Sequence, residues 1–408
     1  MSSDWSTVTI GSVLANQFSG AWGIEPTDRR VTSTVLRATD IDDQGHVNLE
    51  TGAQRALSAR DRDSKALAAG DIILEASGGG PGKPVGRPAW FPGDAVRHYA
   101  ASNFFKVLRP DRNQIDGRFL LWKLLELSHS PKIWMFQQQT TGIINLKFRD
   151  YLKFTLQIPA RPEQERIAEI LDAVDEQIRT SRVLIDKIRA FKSGVVDQLI
   201  AHHPPHAVLS DALAGSPSNG IYKPAELIGR GTLLIGQTAF TPDRTVDPDL
   251  ARRAVVSNSE RSRFEVKVGD ILVSRVFATL EGVGQPALVD VLPEPAVYES
   301  NMMRLQLDIR RADSLFIFSQ LQIGRARAHV TRRANLSNQA SISQSVLTQM
   351  PFWLPSLEVQ RGISAAIAAV DRRYVAERQR LAKLETIKEG LISDLLNGRV
   401  RAPAKAGS

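Results

Sequence analysis

The side chains best suited by type and spacing to do chemistry lie in two glycine- and hydroxyl-rich stretches. The first reads Glu75-Ala76-Ser77-Gly78-Gly79-Gly80-Pro81-Gly82-Lys83-Pro84-Val85-Gly86-Arg87, and the second Ser274-Arg275-Val276-Phe277-Ala278-Thr279-Leu280-Glu281-Gly282-Val283-Gly284-Gln285. Glycine permits close backbone approach, while hydroxyl, amide and guanidinium groups suit phosphate contact and base-edge hydrogen bonding. An ordinary surface loop has much the same composition. A nucleotide-binding P-loop does not fit: it needs Ser or Thr after the lysine, where Pro84 stands, and glycine where Ser77 stands. The stretch His202-His203-Pro204-Pro205-His206 lacks the chemistry of an amino-methyltransferase tetrad, with histidines where Asn or Asp and an aromatic residue are needed, and its prolines read as a linker rather than a metal site. His46, His98 and His129 stand alone, and no carboxylate pair has a spacing that singles it out.

A basic run, Arg325-Ala326-Arg327-Ala328-His329-Val330-Thr331-Arg332-Arg333-Ala334-Asn335, precedes Ser337-Asn338-Gln339-Ala340-Ser341. Cations beside amides make a candidate strip for a phosphate backbone, although charge runs are commonly no more than solvated faces. The equivalent earlier stretch, Gln137-Gln138-Gln139-Thr140-Thr141-Gly142, is uncharged and rich in amides, which can pair bidentately with adenine. The candidate DNA-contacting residues are therefore Ser77, Gly79, Lys83, Arg87, Gln138, Thr140 and Thr141 in the first half. In the second half they are Ser274, Arg275, Thr279, Arg327, Arg332, Arg333, Asn338 and Gln339.

These loops need a framework, and the framework is duplicated. A 42-residue helical pattern at residues 159–200 returns at residues 355–396, a constant offset of 196. Gln164 meets Gln360, Ala173-Val174-Asp175 meets Ala369-Val370-Asp371, and Lys192 meets Lys388. So large a period means tandem domains rather than a solenoid. Apolar residues recur in a four-three rhythm: Ile167, Leu171, Val174, Ile178, Ile185, Ile188 and Val195, then Ile363, Ile367, Val370, Tyr374, Leu381, Leu384 and Leu391. That is a coiled-coil seam. Both copies break it at the same rungs, Ser181 and Glu377, then Lys192 and Lys388. Helices sharing seam and defects are expected to pack on each other, and about 40 residues make a rod of roughly 60 Å.

The segments before the helices repeat more loosely. Gly70-Asp71-Ile72-Ile73-Leu74 corresponds to Gly269-Asp270-Ile271-Leu272-Val273, a turn followed by a strand-length apolar run. Asn103-Phe104-Phe105 corresponds to Asn301-Met302-Met303, short helical stretches follow at residues 119–127 and 315–321, and Asn145-Leu146 corresponds to Ser341-Ile342. A shared framework with dissimilar loops suggests one job done on two targets.

Composition bounds the class. At 408 residues and 42% apolar content, two or three domains can each bury a core. The absence of cysteine excludes disulfides, thiol catalysis and thiolate zinc fingers. The net charge of +8 is spread along the chain, which permits nucleic acid without demonstrating it. There is no apolar run of membrane-spanning length and no signal-peptide pattern at Met1-Ser2-Ser3-Asp4-Trp5, so a cytoplasmic location is expected, and DNA binding would make it nucleoid-associated.

With these elements in place, the chain resembles a known family. The run Ile158-Pro159-Ala160-Arg161-Pro162-Glu163-Gln164-Glu165-Arg166-Ile167, its echo Leu354-Pro355-Ser356-Leu357-Glu358-Val359-Gln360-Arg361, and the closing Leu395-Leu396-Asn397-Gly398-Arg399-Val400 are similar to the specificity (S) subunits of type I restriction-modification systems. The resemblance covers the whole chain, and departs from the family in Ala160-Arg161-Pro162 at the first helix start and Ser356 at the second. It implies an α+β fold: two globular target-recognition domains, each a small twisted sheet with helices, separated by two long antiparallel coiled-coil helices. The expected division is residues 1–158, 159–202, 203–354 and 355–400, with a flexible tail at 401–408. The resemblance further implies a noncatalytic chain that reads a bipartite double-stranded DNA target. Two modification (methyltransferase) subunits, and in some systems two restriction (motor-nuclease) subunits, would join it. S-adenosylmethionine, ATP and Mg are expected on those partners only. The spacer and docking residues would be Gln164, Ile167, Val174, Asp175, Gln360, Ile363, Val370 and Asp371. The rival reading is a coiled-coil adaptor joining two protein-binding modules without DNA.

Overall fold

The computed structural model describes residues 5–27, 32–80, 82–140, 142–336 and 338–402. By compactness the chain forms two units, residues 1–181 with 380–408, and residues 182–379. Each unit takes part of both long helices, Arg161–Val196 and Leu357–Leu395, which run for 36 and 39 residues.

In the first unit a four-stranded sheet has Phe105–Pro110 and Ile72–Glu75 at its centre, flanked by Leu14–Ser19 and Pro88–Trp90. Ile72, Ile73 and Leu74 are fully buried, as a central strand's continuous apolar run requires. On one face lies the helix Gly117–His129, which buries Phe119, Leu120, Leu121 and Leu124. On the other lies a small sheet in which Ser33–Leu36 runs parallel to Tyr99–Ala101. The second unit repeats the plan. Its four-stranded sheet centres on Met302–Leu305 and Ile271–Ser274, its helix is Ser314–Gln322, and Ile228–Ile235 runs parallel to Ala296–Tyr298.

The turn before each central strand explains its glycine. Gly70 has φ +96° and Gly269 φ +93°, a left-handed conformation that a Cβ disfavours. The aspartate that follows is buried in both copies. Asp71 accepts from Arg109 Nε at 2.7 Å and Nη2 at 2.8 Å, whereas Asp270 accepts from the Lys267 amide at 2.9 Å with Arg304 at 3.8 Å.

Within the first unit the two helix segments run antiparallel: Ile167 and Leu171 share a core with Leu395 and Leu396, and Asp175 meets Lys388 at 2.5 Å. Within the second unit Arg189 donates to the Tyr374 hydroxyl at 2.9 Å and Lys192 meets Asp371 at 2.6 Å. The offset of 196 exchanges Asp175 for Asp371 and Lys388 for Lys192, so these are one bridge in two copies. The lysines that interrupt the apolar rhythm are thus half of a repeated ion pair, and the aspartates of the two Ala-Val-Asp triplets are the other half. No helix among the described residues is long and apolar enough to cross a membrane.

Candidate nucleic-acid interface

A further three-stranded sheet in each unit carries the amide-rich and hydroxyl-rich stretches. In the first, Ile143–Leu146 lies between Gln137–Thr140 and Ser77–Gly79, all antiparallel. Side chains alternate across it. Ile144 and Leu146 are buried in the core, so Ile143 and Asn145 face outward. Asn145 stands opposite both Gln138 and Ser77, and the Ser77 hydroxyl donates to Asn145 Oδ1 at 2.6 Å. The outward face therefore carries a cross-strand row, Ser77–Asn145–Gln138. A register shift beside it accommodates Gly78, whose φ of +111° again suits glycine.

The second unit has the same lattice. Ala340–Ser341 lies between Val276–Phe277 and Asn335–Leu336, with Ser341 opposite both Val276 and Asn335. Ala340 is buried, which turns Ser341 outward. The row is Val276–Ser341–Asn335: identical backbone positions, different side chains.

The structure places the expected contact residues unevenly around these sheets. Ser77, Gln138 and the exposed Lys83 belong to the first sheet or its hairpin, and Gly79 is packed, since a Cβ there would meet the Lys83 carbonyl at 2.5 Å. Arg87 is spent inside the unit. It donates to Glu75 at 2.8 Å and 3.1 Å, to Asp43 at 3.2 Å and to the Ala38 carbonyl at 3.2 Å, and those carboxylates hold its guanidinium above the ordinary arginine value. Thr141, like Ser337 beside the second hairpin, lies outside the described residues, as does the Thr140 side chain. In the second unit Ser274 does not face outward as expected: it ends a central strand and is 1% exposed. Arg275 is half-buried, with Nε donating to the Ser300 carbonyl at 3.3 Å.

The basic run is a helix, Gly324–Arg333, and helical periodicity splits it. Arg325 donates to the carbonyls of Ala201, His203 and Ile200, Arg327 to those of Val283 and Glu281, and His329 is hydrogen-bonded to the Val346 carbonyl at 2.9 Å. Burial lowers the pKa of all three. Arg327 is therefore a loop brace rather than a DNA contact. Arg332 and Arg333 remain exposed immediately before the Asn335 strand, and Thr279, Asn338 and Gln339 are exposed near the same sheet. In the first unit Lys147 and Arg149 are exposed just after the Asn145 strand.

The expected docking residues turn inward. Gln164 accepts from the Asp116 amide at 2.9 Å and donates to the Pro159 carbonyl at 2.8 Å; Gln360 accepts from the Asp313 amide at 2.9 Å and donates to the Arg311 and Pro355 carbonyls. Asp116 and Asp313 cap the helices Gly117–His129 and Ser314–Gln322, so each glutamine ties a long helix to the helix of its own unit. Gln164, Ile167, Asp175 and Gln360 are buried, and Val174, Ile363, Val370 and Asp371 are half-buried. The hydrogen bonds of both glutamines are therefore internal to their own units.

Known proteins share parts of this sequence and this fold. Residues 35–190 match the family model for the type I restriction modification DNA specificity domain. The type I restriction enzyme MjaVIII specificity subunit of Methanocaldococcus jannaschii is 20% identical over 319 residues, which cover 71% of this chain and 72% of the relative. The fold matches the S subunit of a type I restriction-modification system from M. genitalium with a TM-score of 0.63 at 13% identity, over 100% of this chain and 98% of that one. It also matches a chain from a structure describing complex assembly and conformational transition of the type I R-M system, with a TM-score of 0.54 at 16% identity, over 98% and 99%. Residues 35–190 thus carry a type I DNA specificity domain, and the whole chain has the fold of an S subunit.

Sequence reasoning missed how the first unit fastens one of its turns to the long helices. A turn closed by the Ile41–Val47 bridge sends His46 Nε2 to Asp175 at 2.7 Å and receives Lys388 Nζ on Gln44 Oε1 at 2.7 Å. His46 Nδ1 meets Asp42 at 2.9 Å. Hydrogen bonds to Asp175 and Asp42 raise the His46 pKa to about 9. Burial acts to raise the Asp175 carboxyl, but hydrogen bonds from His46 and Lys388 outweigh it and hold the group below its usual value. Lys388 also sits 5.0 Å from the Trp122 ring centroid. The equivalent turn of the second unit, closed by the Phe240–Val246 bridge, offers only Asp243 to Arg378 at 3.0 Å among the ion pairs described there. The available signal was Gly45 in Asp42-Asp43-Gln44-Gly45-His46: its φ is +87°, and Arg244 occupies the equivalent turn position with φ +64°.

Proposed function

We propose that this chain is the noncatalytic DNA-recognition subunit of a type I restriction-modification complex and reads a bipartite duplex target, one half with each unit. The observation that carries the reading is the pair of three-stranded sheets with one backbone lattice and two different outward rows, each beside exposed cations. Phosphate contacts would position the duplex, and the rows would meet base edges. Modification subunits would dock on the long helices, where Val183, Phe191, Val375 and Ile387 are exposed apolar residues. Methyl transfer from S-adenosylmethionine, and any ATP- and Mg-dependent cleavage, would belong to those partners.

The test is methylation mapping in a host that lacks other adenine methyltransferases, expressing the modification subunit with and without this chain. The expected result is methylation at one split motif only when the chain is present. Methylation independent of the chain, or a continuous motif, would overturn the proposal. Complex formation without any DNA selectivity would favour the adaptor reading.

A further inference from the structure

We propose that the cross-strand rows Ser77–Asn145–Gln138 and Val276–Ser341–Asn335 are the base-reading edges of the two units, with Asn145 and Ser341 on the middle strands as the specificity-determining positions. This deepens the reading above and rests on it.

Three observations lead to the rows rather than to the loops. The register is fixed by the core: Ile144 and Leu146 in the first unit, and Ala340 in the second, are buried on the opposite face, so a one-residue slip would expose apolar side chains. The middle side chain is held before any ligand arrives, because the Ser77 hydroxyl donates to Asn145 Oδ1 at 2.6 Å; a held amide loses less freedom on binding. Each row is also bordered by exposed cations in its own sheet or adjoining segment, Lys83 and Lys147 in the first unit and Arg332 and Arg333 in the second. That charge complements a phosphate backbone and commits the occupant to duplex nucleic acid rather than to an apolar partner.

The chemistry of the rows differs as the half-sites should. The first offers two amides and a hydroxyl across three adjacent strands. A glutamine or asparagine amide can donate to N7 and accept from N6 of adenine, so this row favours an A·T pair in the major groove. The second offers one amide, one hydroxyl and the methyls of Val276, which suit the thymine C5-methyl group. Neither Asn145 nor Ser341 belongs to the glycine-rich stretches that composition singles out.

The experiment exchanges the letters while keeping the lattice. The full-length chain carrying Ser77→Val, Gln138→Asn and Asn145→Ser, assembled with its modification subunits, is presented with a randomised duplex library beside the wild type, and bound sequences are read. The expected result is a change confined to one half of the motif, with preference for the original bases there reduced about tenfold or more and the other half unaltered. A single Gln138→Glu variant should move preference at one position towards C·G, because a carboxylate accepts from cytosine N4. An unchanged motif, a change in the other half, or loss of all selection in a variant that melts like wild type would overturn the proposal. If the wild type itself selects no split motif, the functional reading fails instead.

Discussion

The repeated bridge between the long helices provides an internal control, because evolution placed the same lysine and aspartate in two environments. Lys388 and Asp175 are 10% and 7% exposed at the side chain, while Lys192 and Asp371 are 32% and 33% exposed. Removing one partner of a buried pair strands the other charge and costs roughly 3–5 kcal/mol, whereas an exposed pair contributes about 0–1 kcal/mol. Lys388→Met should fall near the lower figure, about 3 kcal/mol, because His46 still donates to Asp175. For a unit of this size that corresponds to a fall in Tm of roughly 6–12 °C, against about 4 °C or less for Lys192→Met. Calorimetry of the two variants measures this directly. Adding Asp175→Asn to Lys388→Met should recover part of the loss, since the stranded charge is then gone. Equal shifts for the two lysine variants would refute the inference that burial, rather than the pairing itself, sets the strength of the bridge.

Further outcomes follow from the same contacts. Because the folded-state pKa of His46 is raised from 6.5 to about 9, its contribution is complete below pH 6.5, declines above it and is gone above pH 9. The full shift would correspond to about 3 kcal/mol, but at 38% side-chain exposure screening leaves on the order of 1 kcal/mol. The stability gap between wild type and His46→Gln in urea titrations should therefore close between pH 6.5 and 9; a gap that widens with pH would contradict the assignment. Gln164→Ala should cost about 2 kcal/mol by leaving the Asp116 amide unsatisfied, with Gln164→Glu restoring part of it in chemical denaturation. Phe191→Asp, at a side chain 62% exposed, should leave Tm within the small range of surface substitutions and weaken modification-subunit binding in size-exclusion chromatography. Inserting one helical turn, about four residues, after Ser181 should alter the number of unread base pairs between half-sites in methylation maps; an unchanged spacing would count against a ruler.

What could be read from the sequence depended on the range of the interactions involved. Helix positions were legible because the seam repeats every three or four residues, and the turn before each central strand because Gly70 and Gly269 serve a local conformational need. The polar rungs at Lys192 and Lys388 were visible only as interruptions, since their partners Asp371 and Asp175 lie 179 and 213 residues away and carry no local mark. Composition likewise gathered Arg325, Arg327, Arg332 and Arg333 into one basic strip, whereas a helix turns the first two onto backbone carbonyls and leaves the last two to solvent. Arg87 and Ser274 turn inward for a related reason: Arg87, just before the edge strand Pro88–Trp90, is drawn onto Glu75 of the neighbouring strand, and Ser274 ends a central strand, so sheet register rather than composition sets their direction.

The duplication also constrains how such a protein diversifies. Gln164 and Gln360, the two bridges and the core-facing Ile144, Leu146 and Ala340 are committed to packing in both units, so changes there cost stability whichever DNA is read. The outward rows make few such commitments: the Ser77–Asn145 hydrogen bond in the first has no counterpart possible at Val276 in the second, and both sheets nevertheless form. On the proposed bipartite reading, a surface that tolerates replacement on a scaffold that does not would let a few side-chain changes alter one half-site while the helices and the other half-site are left intact.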